Sequence, residues 1–281
     1  MSITSRMPRA EYDAIEAISI TRLKELRRSP QHYQWALTHR RESDALTLGI
    51  ATHVAVLEPE RFETEFAIWD RRTEGGAMAP RRGQHWEAFV GVNHGRTFLT
   101  IDEATDAKTI AAAVRADATA MRYITSGDPE ITMQWTEDRP SKGRADWLTV
   151  VDGKPTLVGL KTTRDCRLYQ FGAQAAKLEY GIQWAFYHDG YEKISGKSPR
   201  VIEIVVENTA PHAVATYVID KDILLQGRDN YLELLKVLRE CEDSGVWPGP
   251  VVGEQILTLP SWYYGEAVDD MSDLDLEDSS R

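Results

Sequence analysis

Residues 144–151 and 156–161 are two runs of alternating apolar character separated by a loop that contains Asp152-Gly153. That dipeptide forms tight hairpin turns, because both residues tolerate positive φ. The two runs are therefore expected to pair as neighbouring strands. One carries Asp146 and the other ends at Lys161, so the hairpin can bring a carboxylate and an ammonium group to one part of a sheet. By spacing alone such a pair reads as a surface ion pair. The same pair can also carry chemistry. A carboxylate can hold Mg²⁺, which prefers oxygen ligands. A lysine beside it can stabilise charge or orient a water. Metal-assisted phosphodiester hydrolysis uses these parts.

The rest of the chain is read around this hairpin. Residues 1–10 read as a loose terminus. Residues 19–38 read as helix, with Ser19 or Thr21 able to cap it and Pro30 splitting it in two. Residues 45–57 are a second helix, stopped by Glu58-Pro59. Residues 70–83 are rich in Gly, Arg and charge and read as an exposed loop. Residues 104–124 are Ala-rich and helical. Strands are expected at 130–135, 144–151 and 156–161, then a long helix over 168–192, strands at 201–207 and 213–219 with Pro211 in their turn, and a last helix over 221–244. Helices followed by β-β-β-α-β-β-α give an α/β fold with a mixed central sheet flanked by helices. The expected organisation is one domain over 1–265, helical to about 125 and sheet-based after it, followed by an acidic tail at 266–281.

Net charge is −11, a balance that argues against wrapping nucleic acid until it is located. The tail holds seven acids and one Arg, a net of −6, which leaves −5 for the other 265 residues. Basic clusters remain at Arg22, Lys24, Arg27 and Arg28; at His39, Arg40 and Arg41; and at Arg71, Arg72, Arg81 and Arg82. The tail lacks the apolar surface to offset ordering entropy. It reads as a solvating segment or, alternatively, as one that docks on a basic patch. Two widely separated cysteines, Cys166 and Cys241, cannot supply the four ligands of an iron–sulfur cluster. No apolar h-region follows Met1 and no run approaches a membrane span, so a reduced, soluble, cytoplasmic protein is expected.

Several segments together resemble the RecE (exonuclease VIII) group of PD-(D/E)XK nucleases. Arg144-Ala145-Asp146-Trp147 and Gly159-Leu160-Lys161-Thr162-Thr163 are similar to that group's two core strands, approximately R-P-D-W and D-L-K-T-T. The segments around Leu48–His53 and Leu57–Phe62 resemble its histidine-bearing helix, and Ser19–Lys24 with Ser29-Pro30 its opening helix. Tyr180, Gln183 and Tyr187 match the helix after the lysine. Trp247-Pro248-Gly249 and Leu259-Pro260-Ser261-Trp262 match its close.

The resemblance implies a PD-(D/E)XK core and a role for each matched residue. His53, Asp146 and the Leu160 backbone carbonyl would hold Mg²⁺ or Mn²⁺. Lys161 would be the catalytic lysine. Glu130 would be an acid near the metal, and Gln183 and Tyr180 would line the site. Arg144, Thr162, Thr163 and Tyr180 would contact DNA. On periodicity alone, Tyr180, Gln183, Trp184 and Tyr187 read equally as one helix face packed on the sheet. The implied activity is 5′→3′ resection of linear double-stranded DNA for phage-type recombination, by a homo-oligomeric ring working with a single-strand annealing protein in a bacterial host.

One position departs from the pattern. Gly159 stands where the group has an Asp or Glu, which should weaken cation binding. Three explanations stay open. The chain is a nuclease-fold protein that binds DNA or a partner without cutting. It is a disabled variant. Or another acid substitutes, with Glu130 the best placed and Asp165 a less favourable choice.

Overall fold

A computed structural model describes residues 1–39, 44–136, 138–259 and 263. Arg40 and Arg41, the segment 260–262 and the acidic tail at 266–281 lie outside the described residues.

The chain opens with β1 (Ser2–Thr4), α1 (Arg9–Ala14), β2 (Ile18–Ser19), α2 (Ile20–Leu23) and α3 (Pro30–Ala36). Next come α4 (Asp44–Leu57), α5 (Phe62–Glu65), β3 (Phe66–Trp69), α6 (Gln84–Val92), β4 (Thr97–Thr100), α7 (Ile101–Ala116) and α8 (Ala118–Ile124). The sheet-forming part follows: β5 (Asp128–Thr136), β6 (Pro140–Val151), β7 (Lys154–Thr163), α9 (Leu168–Lys177), α10 (Tyr180–Ser195), β8 (Arg200–Glu207), β9 (Val214–Val218) and α11 (Lys221–Ser244).

β5, β6 and β7 form an antiparallel meander. The chain then crosses over through α9 and α10 and returns as β8, parallel to β7. Parallel neighbours require such a crossover, because no tight turn can reverse the chain twice. β9 closes one edge and β1 the other, giving the order β1-β5-β6-β7-β8-β9, with β2 beside β6. Helices cover both faces. On one, Ile182 and Phe186 of α10 and Leu234 and Leu238 of α11 pack on Ile131, Met133 and Leu157. On the other, Ala51 and Val54 of α4 and Ile110 and Val114 of α7 pack on Val158, Leu160, Ile202 and Ile204. Each fully buried Leu or Ile of these layers contributes roughly 1.5–3 kcal/mol. The two layers hold the sheet rigidly from both sides.

The mixed sheet flanked by helices agrees with the sequence reading. The details differ where local pattern is overridden. The terminus is not loose throughout: Ser2–Thr4 pairs with β5. Pro30 splits the 19–38 segment as expected, and does so by starting α3: it occupies the first turn and Ser29 accepts the His32 N–H. Ser19 caps nothing with its side chain. The Ala-rich segment is two helices. A capping box between Thr100 and Glu103 starts α7, and Asp117 ends it and caps α8. The expected long helix at 168–192 is also two. Glu179 takes a left-handed conformation, φ 52°, and Lys24 donates to the carbonyls of Leu178 and Glu179 freed at the break. The pairing of β3 with β4 is not visible in the sequence pattern.

Candidate functional site

The site forms where two strands part. β6 and β7 pair from Val151 opposite Lys154 to Trp147 opposite Val158, and there the ladder ends. Beyond it the Asp146 carboxylate accepts the Leu160 N–H at 2.8 Å. A side chain has taken over a ladder position, so the next groups along each strand are released from pairing. In extended backbone the N–H and C=O of one residue point the same way, so the Leu160 carbonyl is directed towards the Asp146 side as well.

Four strands and two helices converge here. From β7, Lys161 Nζ lies 4.0 Å from Asp146 Oδ2. From α4, His53 Nδ1 lies 3.7 Å from Asp146 Oδ1. From β5, Glu130 falls opposite Asp146 in the register fixed by Pro129–Trp147 and Ile131–Ala145. Its φ of 52° is a left-handed value that costs a non-glycine residue energy, and its carboxylate pairs with Arg144. From α10, Gln183 donates to the Tyr187 hydroxyl at 3.2 Å, and the Tyr180 ring lies 5.5 Å below Lys161 Nζ. Thr162 is half-buried at the end of β7. Thr163 is buried, with its hydroxyl bonded to Gln174 Oε1 at 2.7 Å.

The fourth strand brings a residue that sequence reasoning missed. β7 and β8 pair with Gly159 beside Glu203. A Cβ at position 159 would lie 2.5, 2.6 and 2.8 Å from Oε1, Oε2 and Cδ of Glu203. The space left by the missing side chain is therefore filled by a carboxylate from the neighbouring strand. Glu203 is 1% exposed. Lys161 Nζ is 3.5 Å from its Oε1, and Trp184 Nε1 donates to its Oε2. Neither acid named from the sequence occupies this space: Glu130 is held by Arg144, and Asp165 lies past the strand end in a pair with Arg167. A signal was present. Glu203 is the one charge in Val201-Ile202-Glu203-Ile204-Val205-Val206, a run otherwise apolar.

The electrostatics follow from burial. Burial disfavours the ammonium of Lys161, but the carboxylates of Glu203 and Asp146 more than offset this and hold its pKa above the ordinary lysine value. Burial raises the pKa of Glu203, partly opposed by Lys161. Burial also raises that of Glu130, against the pull of Arg144. A cavity of about 30 Å³, large enough to admit water, opens beside Asp146, Gly159, Lys161, Gln183, Tyr187 and Glu203.

The donor set suits a hard divalent cation: carboxylate oxygens, one imidazole and a released backbone carbonyl around two acids and one lysine. Glu203 is buried, and the close partner of its Oε1 is Lys161 at a long 3.5 Å. Tighter geometry occurs elsewhere. His188, Asp189 and Glu192 place one ligand atom each within 4.8 Å of one another.

Residues 19–256 match the family described as a PDDEXK-like domain of unknown function (DUF3799). The chain belongs to that family. A crystal structure of a "Putative exonuclease" from Eubacterium rectale superposes with a TM-score of 0.61 at 14% identity, covering 92% of this chain and 96% of that one. At this identity the likeness establishes the shared PDDEXK-like fold. The structure of SSO0001 (15% identity, 76% and 84% of the two chains, TM-score 0.29) and that of VC1899 from Vibrio cholerae (15%, 80% and 57%, 0.23) are too distant to carry an argument. No curated protein sequence matches the chain. Among the described residues no helix is long and apolar enough to cross a membrane.

Proposed function

We propose that this PDDEXK-like protein is a divalent-cation-dependent deoxyribonuclease of the RecE-like type, acting on the ends of linear duplex DNA. The observation that carries the reading is Lys161, mostly buried and within 4.0 Å of the acids Asp146 and Glu203, beside a cavity of about 30 Å³. An ammonium held charged between two carboxylates, at a point where strand pairing stops, is an arrangement for a transferring phosphoryl group.

His53, Asp146 and the Leu160 carbonyl hold Mg²⁺ or Mn²⁺. Bound there, the cation supplies Lewis-acid polarisation of the phosphate and a more acidic water. Lys161 stays protonated at neutral pH and offsets charge developing on the phosphate oxygens. Glu130 fixes Arg144, which with Thr162 and Tyr180 flanks the path of the DNA. Thr163 acts through Gln174, setting the end of β7. Gln183 and Tyr187 orient one another at the cavity wall. In this reading the enzyme resects 5′→3′, assembles as a ring and hands a 3′ overhang to an annealing protein in the cytoplasm of a bacterial cell.

The test is digestion of end-labelled linear duplex by the full chain with Mg²⁺, with Mn²⁺ or with EDTA, alongside covalently closed circles. Nucleotide release from linear DNA only, abolished by EDTA, is the expected result. Equal cutting of circles removes the end-directed part. Gly159 favours a second reading, a scaffold that binds DNA or a partner without cutting. Retained binding of linear duplex with no cutting under either metal would establish it.

A further inference from the structure

The nuclease fold leaves one unanswered problem in this chain: its second acid is absent from the strand that carries the lysine. We infer that Glu203 is that acid, supplied from the neighbouring strand, and that the absence of a side chain at Gly159 admits it as a ligand of the divalent cation. The inference rests on the nuclease reading and makes it more specific.

Four independent observations carry it. First, the parallel register places Glu203 directly beside Gly159, on the sheet face shared with Lys161. Second, a Cβ at position 159 would lie 2.5–2.8 Å from the Glu203 carboxylate, so a side chain there would move that carboxylate out of its present place beside Lys161. Third, the Glu203 side chain is 1% exposed, and the close partner of Oε1 is Lys161 at 3.5 Å, a long contact shared with Asp146. A carboxylate oxygen buried with one long, shared contact has room in its coordination for a further partner. Fourth, Asp146 and Glu203 both line the same cavity of about 30 Å³ and face one lysine. The cavity wall thus sets two carboxylates against one ammonium, an arrangement that a cation would complete.

An alternative role for Glu203 is purely that of a counter-ion for Lys161. The two roles differ in what they do to metal binding. The full chain, without DNA, would be titrated with Mn²⁺, and free Mn²⁺ read by electron paramagnetic resonance. Four proteins suffice beside the wild type: Asp146→Asn, Glu203→Gln, Glu203→Ala and the exchange Gly159→Asp with Glu203→Ala. Thermal melts would confirm that each is folded.

Asp146→Asn and Glu203→Gln are each expected to weaken Mn²⁺ binding by at least about 10-fold, the scale on which metal-site partners act. The exchange is expected to recover most of what Glu203→Ala loses, because the carboxylate introduced by Gly159→Asp then occupies the space that Glu203 vacates. Mn²⁺ binding by Glu203→Gln equal to wild type, with Asp146→Asn impaired, would overturn the assignment and leave Glu203 a counter-ion. That result leaves the nuclease reading intact. Absence of Mn²⁺ binding by the wild type would overturn both. Should the exchange variant fail to fold, the near-isosteric Glu203→Gln decides alone.

Discussion

Helix α10 borders two clusters of buried charge, and they are built on opposite principles. Near its start, Trp184 and Gln183 face Lys161, Asp146 and Glu203. Further along, Asp189 is gripped from all sides. Arg228 Nε donates to it at 2.7 Å with a second bond from Nη2. Tyr231 donates at 2.6 Å, and the His188 ring lies at 2.8 Å and is itself tied to Ser198 at 3.0 Å. The Asp189 cluster satisfies both oxygens with protein groups. The Lys161 cluster instead shares one ammonium between two carboxylates at long range, 3.5 Å to Glu203 Oε1 and 4.0 Å to Asp146 Oδ2. A search for metal-like geometry alone would choose His188, Asp189 and Glu192. Saturation argues against that choice: an ion there would have to displace a charged guanidinium that costs several kcal/mol to strip from its partner. Function is expected where bonding is incomplete, and stability where it is complete.

The largest effects should separate the two clusters by readout. Lys161→Ala and Asp146→Asn are expected to lower DNA digestion by about 10²–10³-fold, the scale seen when one charge-stabilising group is removed. Asp189→Ala is expected to unfold the protein about 1–3 kcal/mol more easily, because it removes the shared acceptor of Arg228, Tyr231 and His188. Chemical denaturation checks this, and the surviving folded fraction should still bind Mn²⁺ normally. If Asp189→Ala abolished Mn²⁺ binding in folded protein while Asp146→Asn spared it, the roles assigned to the clusters would be reversed.

How far the sequence reveals these clusters depends on how locally each is encoded. The Asp152-Gly153 hairpin is contiguous, so its strands, and the meeting of Asp146 with Lys161, can be read from pattern. The acidic neighbour cannot. Glu203 reaches Gly159 only through the α9–α10 crossover, and nothing in the spacing states which strand β8 lies beside. The break at Glu179 is likewise met by a distant residue, Lys24, which bonds its carbonyl, while the periodicity runs through it. The two-residue strand β2 is too short to show any period. Asp189 shows the converse. It lies on α10 beside its partner His188, but Arg228 and Tyr231 come from α11, so its role is visible only once the two helices pack.

Acid should erode the saturated cluster in a predictable direction. Burial alone would push the Asp189 carboxyl up, but hydrogen bonds from Arg228, His188 and Tyr231 outweigh it and hold the group below the usual carboxylate range. A lowered folded-state pKa means that its stabilisation is complete above the unfolded value of about 3.9 and disappears as pH falls through the folded value. Urea midpoints followed downward from pH 5 should therefore fall more steeply for wild type than for Asp189→Asn. Parallel slopes would mean that the Asp189 carboxylate is not stabilised by folding.

The smallest change tests whether the Asp189 cluster is a sum of bonds or a single unit. Tyr231→Phe removes one hydroxyl and keeps the ring, which is 6% exposed and packs edge-on against Phe186 with centroids 5.3 Å apart. Asp189 Oδ2 keeps its bond from Arg228 Nε. The loss should then be about 1 kcal/mol, that of one ordinary hydrogen bond. Combined with Arg228→Ala in a double-mutant cycle, additive losses would show separable contributions. Coupling above about 0.5 kcal/mol would show that the two donors act together. The latter is expected, since both bond the same oxygen. No loss from Tyr231→Phe would mean that Arg228 alone saturates the carboxylate, and the contrast with the Lys161 cluster would then rest on one ion pair.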